Sequence, residues 1–197
     1  MTLARRNSQS THSLLGKGSS ALRPAGAQCG RPVGPCSAAV EAARQSLGDR
    51  VLIHPDACHG LRDLDCAPQA ASWGKGIGRA FNALGAYSLS AEAGFAGGFF
   101  QWCKTSGDPQ SWPATPKKLA MRESETVMNS PKLYRSRILP VTTDVDASGA
   151  ILMQAHLKIA EGGGDLAPRI YFTVDPRTAA VHVGYVGPHK HMRNTRS

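Results

Sequence analysis

The apolar positions of this chain follow two periods. Up to about residue 135 they recur at steps of three and four, the spacing of a helix face. From about residue 137 they alternate with polar positions, the spacing of a half-buried strand. Val40, Ala43 and Leu47 predict a first helix from Ala38 to Leu47, with Ser37 as N-cap and Gly48 as its stop. "VLIHPDACHGLRDLDC" (51–66) follows, a short apolar run broken by Pro55 and then a turn-rich stretch. A longer helix is predicted from about Gln69 to Ser90, where Trp73, Ile77, Ala80, Phe81 and Leu84 form one stripe. Gly74, Gly76, Gly78 and Gly85 weaken that helix by up to about 1 kcal/mol each against Ala, so tertiary packing must hold it. A short helix over 92–103 would place Phe95, Phe99 and Trp102 in the core. After a loop from Gly107 to Pro116, Thr115-Pro116 reads as cap and first residue of a helix through "KKLAMRESETVMN".

Alternation then takes over. Ile151, Met153, Ala155, Leu157 and Ile159 alternate with Leu152, Gln154, His156 and Lys158, which reads as one strand. Ile170, Phe172 and Val174 alternate with Arg169, Tyr171 and Thr173; Val181, Val183 and Tyr185 alternate with His182, Gly184 and Val186. "DPRTA" joins the last two strands in the manner of a type I turn, and "RILPVTT" supplies an earlier strand turning at "DVDASG". The fold class is therefore α+β, a helical N-terminal part packed on a three- to four-stranded antiparallel β-meander. The expected division is a leader over 1–36 and one domain over 37–197. Its helices span about 37–135, its sheet about 137–187 and a basic tail 188–197.

Composition changes this picture at the ends. Residues 1–36 are rich in Ser, Gly, Pro and Arg and lack aromatics, so they cannot bury enough apolar surface to offset their ordering entropy. The same bias marks organellar transit peptides, though no amphipathic face appears. Of the net charge of +9, the leader holds +5 and the remainder +4. No run of about 18 apolar residues is present, so no membrane partner is expected. Five cysteines at unpaired spacings, with no secretory signal ahead of them, fit a reducing, cytoplasmic setting.

Several tempting motifs fail on spacing. Asp144, Asp146, Ser148 and Gly149 match the start of a calcium loop, but its closing position is Ala155, so a hairpin turn is the simpler reading. His54, Cys58, His59 and Cys66 are ligand types without the two close pairs of a structural zinc site. "GKGIG" at 74–78 lies inside a helical period rather than after a strand, and Cys103 beside Trp102 reads as a core thiol. No cofactor or metal is expected.

The polar face of the sheet carries the functional expectation. It gathers Gln154, His156, Lys158, Arg169, Tyr171, Thr173 and His182, flanked by a terminus with His189, Lys190, His191, Arg193 and Arg196. Cations hold phosphates and an aromatic stacks on a base, which predicts an RNA- or DNA-binding protein using Lys158, Arg169, Tyr171 and the tail. His156 and His182 are the candidates for proton transfer in an alternative reading, a metal-independent ribonuclease. A protein-interaction module is the third. "RESETVMNSP", "MQAHLKIAEGGG" and "APRIYFTVDPRTAAVHVGYVGPHKHMRNTRS" resemble a group of bacterial accessory-genome proteins that share an Arg-Ile-Tyr-Phe strand and a Gly-Pro-His ending. The terminal hairpin alone is similar to the last strands of RelE/ParE-type toxins. That similarity implies a small α+β RNA-cleaving or gyrase-poisoning protein with Arg169, Tyr171 and His182 on its working side.

Overall fold

The computed structural model describes residues 33–162 and 164–192; most of the predicted leader, with Arg193 and Arg196 of the predicted tail, lies outside them. Helix α1 runs Pro35–Leu47, earlier than an N-cap at Ser37 allows. Pro35 suits the first turn because its missing N–H would lack a partner there anyway. Gly34, the actual N-cap, has no side chain to offer. The carboxylate of Asp65, at the end of helix α2 (Leu61–Asp65), caps the helix instead, accepting from the Cys36 and Ser37 amides at 2.7 and 3.3 Å. Gly48, at φ +50°, ends α1 as expected.

Helix α3, Ala70–Glu92, presents the predicted stripe to the core. Two of its glycines lie where α1 crosses it. A Cβ on Gly74 would lie 2.6 Å from the Pro35 carbonyl oxygen, so α1 crosses α3 there with room only for hydrogen; one on Gly85 would lie 2.9 Å from Leu47 Cδ2 and would need that side chain to shift. Helix α4, Phe99–Thr105, adds Phe99 and Trp102; it starts later than predicted, behind Gly98.

The strands are β1 (Val51–Ile53), β2 (Leu119–Ala120), β3 (Ile138–Pro140), β4 (Ala150–Leu152), β5 (His156–Lys158), β6 (Pro168–Val174) and β7 (Val181–Pro188). Between β2 and β3 lie two short helices, α5 (Glu125–Met128) and α6 (Pro131–Arg135). The fold is α+β, and its sheet corrects the meander in three ways. The main sheet has five strands in the order β1-β7-β6-β5-β2, with β1 parallel to β7. The predicted helix through "KKLAMRESETVMN" is instead β2 followed by α5: the Lys118 carbonyl accepts from Trp112 Nε1 and from the Lys158 amide, and this sheet pairing overrides helical propensity. The single strand over 150–159 is two strands in different sheets, because β4 pairs with β3 and β5 pairs with β6. At the crossing the Met153 amide donates to the Arg137 carbonyl and the Phe172 amide to that of Ala155.

The crossing also divides the alternation between two cores. Leu157 and Ile159 join the main core under α1, α3 and α4, together with Ile170, Phe172, Val181, Val183 and Val186. Met153 belongs to a smaller core on the other face, with Leu139, Val141, Tyr171, Tyr185 and Met192. A bulge re-phases β7. Tyr171 pairs with Tyr185 but Phe172 pairs with Val183, leaving Gly184 extra. Tyr185 therefore turns away from Val181 and Val183, and Val186 takes its predicted place in the main core. Among the described residues no helix is long and apolar enough to cross a membrane.

Candidate functional site

Gln154, His156, Lys158, Arg169, Tyr171, Thr173 and His182 gather on one side of the main sheet, as the alternation predicts. That side is not an open platform, because β3, β4 and Met192 bring a second apolar layer against its centre. Tyr171 is only 1% exposed, and this burial excludes the base-stacking role expected of it. Its hydroxyl donates to Glu123 Oε1 at 2.8 Å, and its ring lies 4.5 Å from the ring of His156 in a stacked pair. Arg137, fully buried, donates from Nε to the same carboxylate oxygen at 2.6 Å and from Nη2 to the Met192 carbonyl at 3.1 Å. Its guanidinium lies 5.4 Å from the Tyr171 ring centroid. Glu123 and Arg137 form the polar centre of this layer, and the sequence reading missed both. The available signal was a pair of acids, Glu123 and Glu125, in a stretch otherwise dominated by cations.

His156 sits in a setting that disfavours its charged form. Burial pushes its pKa down to about 4, against weaker opposing effects of the Gln154 carbonyl and of Glu123. Its Nδ1 lies 2.9 Å from the Gln154 carbonyl oxygen, which can only accept, so the neutral ring carries its proton on Nδ1. The 3.9 Å approach of Nδ1 to Glu123 is therefore, at neutral pH, a contact between a carboxylate and an uncharged ring.

The rim of this layer differs. Lys158 and Arg169 are direct cross-strand partners, both half-buried. Lys158 Nζ donates to the Pro116 carbonyl at 2.8 Å; Arg169 Nη1 donates to the carbonyls of Pro168 and Ala160 at 3.0 and 3.4 Å. Neither has an ion-pair partner among the described residues. Burial lowers the pKa of both, and for Lys158 the charge of Arg169 lowers it further. Nearby, His189 Nδ1 is buried with no hydrogen-bond partner among the described residues, and burial followed by the charges of Arg169 and Arg137 depresses its pKa.

The rest of the expected site is dispersed. Lys190 is tied to Asp63, and burial and then Lys190 lower the pKa of His191. Arg193 and Arg196 lie outside the described residues. His182 is at the opposite end of the sheet face, across from Thr173, in the wall of a cleft also lined by Arg44, His54 and Thr142. The residues weighed for zinc have other partners. His54 Nδ1 accepts from the Asp56 amide, Cys58 Sγ faces Arg44, His59 stacks on Tyr185 and Cys66 is exposed. Asp146 and Gly149 close the β3–β4 hairpin. "GKGIG" lies within α3, and burial pushes the Cys103 thiol up to about 11.

Charge is distributed more unevenly than the sequence division suggested. The described residues hold sixteen basic and fourteen acidic side chains, a net +2, which leaves +7 of the +9 outside them. Within the described part, Arg122, Lys132 and Arg135 are exposed and make no ion pair with another described residue. Comparison with protein-family models, curated proteins and solved structures returned no match.

Proposed function

We propose that this chain is a nucleic-acid-binding protein of a reducing, cytoplasmic compartment, and that the rim formed by Lys158, Arg169 and His189 receives a backbone phosphate. One observation carries the reading. Two cations are held directly opposite each other on adjacent strands, with only carbonyls as hydrogen-bond partners among the described residues. Like charges so placed destabilise a sheet. Glu123, the carboxylate whose field reaches Lys158, is engaged by Arg137 and Tyr171. A phosphate bridging the pair would relieve the repulsion. The remaining positive charge, largely outside the described residues, would supply the long-range and salt-sensitive part of the attraction. Free thiols at Cys36, Cys58, Cys66 and Cys103 accord with a reducing compartment.

The toxin-type ribonuclease finds less support. His156 is 4% exposed and neutral down to about pH 4, and His182 lies two strands away, so the two imidazoles are poorly placed to share one scissile phosphate. The test is a titration of labelled single-stranded RNA and duplex DNA with the full chain over a range of salt concentrations. Binding should weaken steeply with salt, and Lys158→Ala and Arg169→Ala should each reduce the salt slope by about one. No binding at low salt, or slopes unchanged in both variants, would refute the assignment.

A further inference from the structure

The cleft at the far end of the sheet face has a cavity volume of about 260 Å³. Roughly 300–1,000 Å³ is usual for drug-sized ligands, so the space suits a single ring system. Leu52, Val141 and Val183 supply apolar walls; His54, His182 and Thr142 supply the polar groups. Register places Leu52 beside His182 across the parallel β1–β7 pair, which brings β1 and the segment after it to the same opening.

His182 is the informative member. It is only 7% exposed, yet it forms no hydrogen bond with another described residue while lining the cleft. Its ring nitrogens are not sealed from solvent, so they open on the cleft, where an acceptor or donor of a ligand can replace water. His54 completes the recognition surface. Because its Nδ1 accepts the Asp56 N–H at 3.1 Å, its neutral ring presents Nε2–H as a donor. Arg44 is the one charged residue of the lining, and its guanidinium is turned to the His54 carbonyl and Cys58 Sγ at 3.4 and 3.5 Å. A phosphate would meet mostly apolar walls here, whereas a flat heterocycle with carbonyl and ring-nitrogen acceptors matches both the walls and the imidazole edges.

We infer that this cleft binds a single unpaired nucleobase. The choice of ligand rests on the nucleic-acid reading. Arg169 and Thr173, the β6 positions beside the cation rim and beside His182, are four residues apart, about 13 Å along the strand at roughly 3.3 Å per residue. A short single strand spans that distance, and a base inside a duplex cannot enter without flipping out. The protein would therefore prefer single-stranded to duplex nucleic acid.

The experiment uses uridine and adenosine, which carry no phosphate, titrated into the full chain while the imidazole carbon–proton signals of His54 and His182 are followed by NMR. The expected result is a saturable shift of both signals by at least one nucleoside. His182→Phe, which keeps a ring of similar size, should weaken the affinity on the order of tenfold, and Thr142→Trp should abolish it while the thermal melt confirms folding. No shift with either nucleoside at millimolar concentration, or equal affinity in His182→Phe, would overturn the inference. If the cation rim still bound RNA, the nucleic-acid reading would survive that failure. Nucleoside binding without any RNA or DNA binding would sink the phosphate reading and leave the cleft standing.

Discussion

Protonation of His156 offers the sharpest physical test of the buried layer. An exposed or unfolded histidine titrates near 6.5, and burial holds this one near 4. Between those values the unfolded chain takes up a proton that the folded chain does not, so stability is complete above about pH 6.5 and falls as pH drops toward 4. Each pH unit inside the window is worth about 1.4 kcal/mol, and the whole window about 3 kcal/mol. His182, His189 and His191 also have depressed pKa values and add to the slope. Their share cancels when wild type is compared with His156→Phe, which keeps a ring against Tyr171 and loses the Nδ1–H bond to Gln154. Urea unfolding at pH 7.5, 6.5, 5.5 and 4.5 reads the difference. At pH 7.5 the variant should be weaker by about 1 kcal/mol for the lost hydrogen bond. By pH 4.5 the order should reverse, because the variant has no proton to exclude. Parallel stability–pH curves for the two proteins would show that His156 is not held neutral by burial.

Arg137→Met leaves Glu123 buried without its cation and should lower stability by about 3–5 kcal/mol in chemical denaturation, whereas Glu123→Gln combined with Arg137→Met should lose clearly less. Equal losses would mean that the two residues do not act as a pair. Gly184→Ala would bring a Cβ within 2.8 Å of Leu139 Cβ and of Met153, so a thermal melt should report a loss of about 1–3 kcal/mol. An unchanged melting temperature would show that the bulge has room to spare.

The long helix, the α+β class and the β6–β7 hairpin were legible because each extends over enough residues for its period to emerge from the noise. β1 was not, since "VLI" is three apolar residues, too short a run for any period to show. Tyr185 was placed on the wrong face because one extra residue at Gly184 reverses everything beyond it, and no local composition announces a bulge. The cation pair was legible as two polar positions on neighbouring strands. The cover over Tyr171 and His156 was not. It comes from Glu123, Arg137 and Met192, which are remote in sequence and meet only after β3 folds over β7. An alternating strand states which side is polar, and says nothing of whether another layer will cover that side.

The position of β7 has a consequence for how the molecule is made. It lies between β1 and β6, so a segment near the end of the described chain completes the interior of the sheet and supplies Val181, Val183 and Val186 to the main core. During synthesis α1, β1 and α3 leave the ribosome long before β7, so they can pack on one another while the apolar surface they turn to that strand waits uncovered. Removing β7 would strip both cores at once, so the chain tolerates change at this end far less than the alternation of a simple peripheral hairpin would suggest.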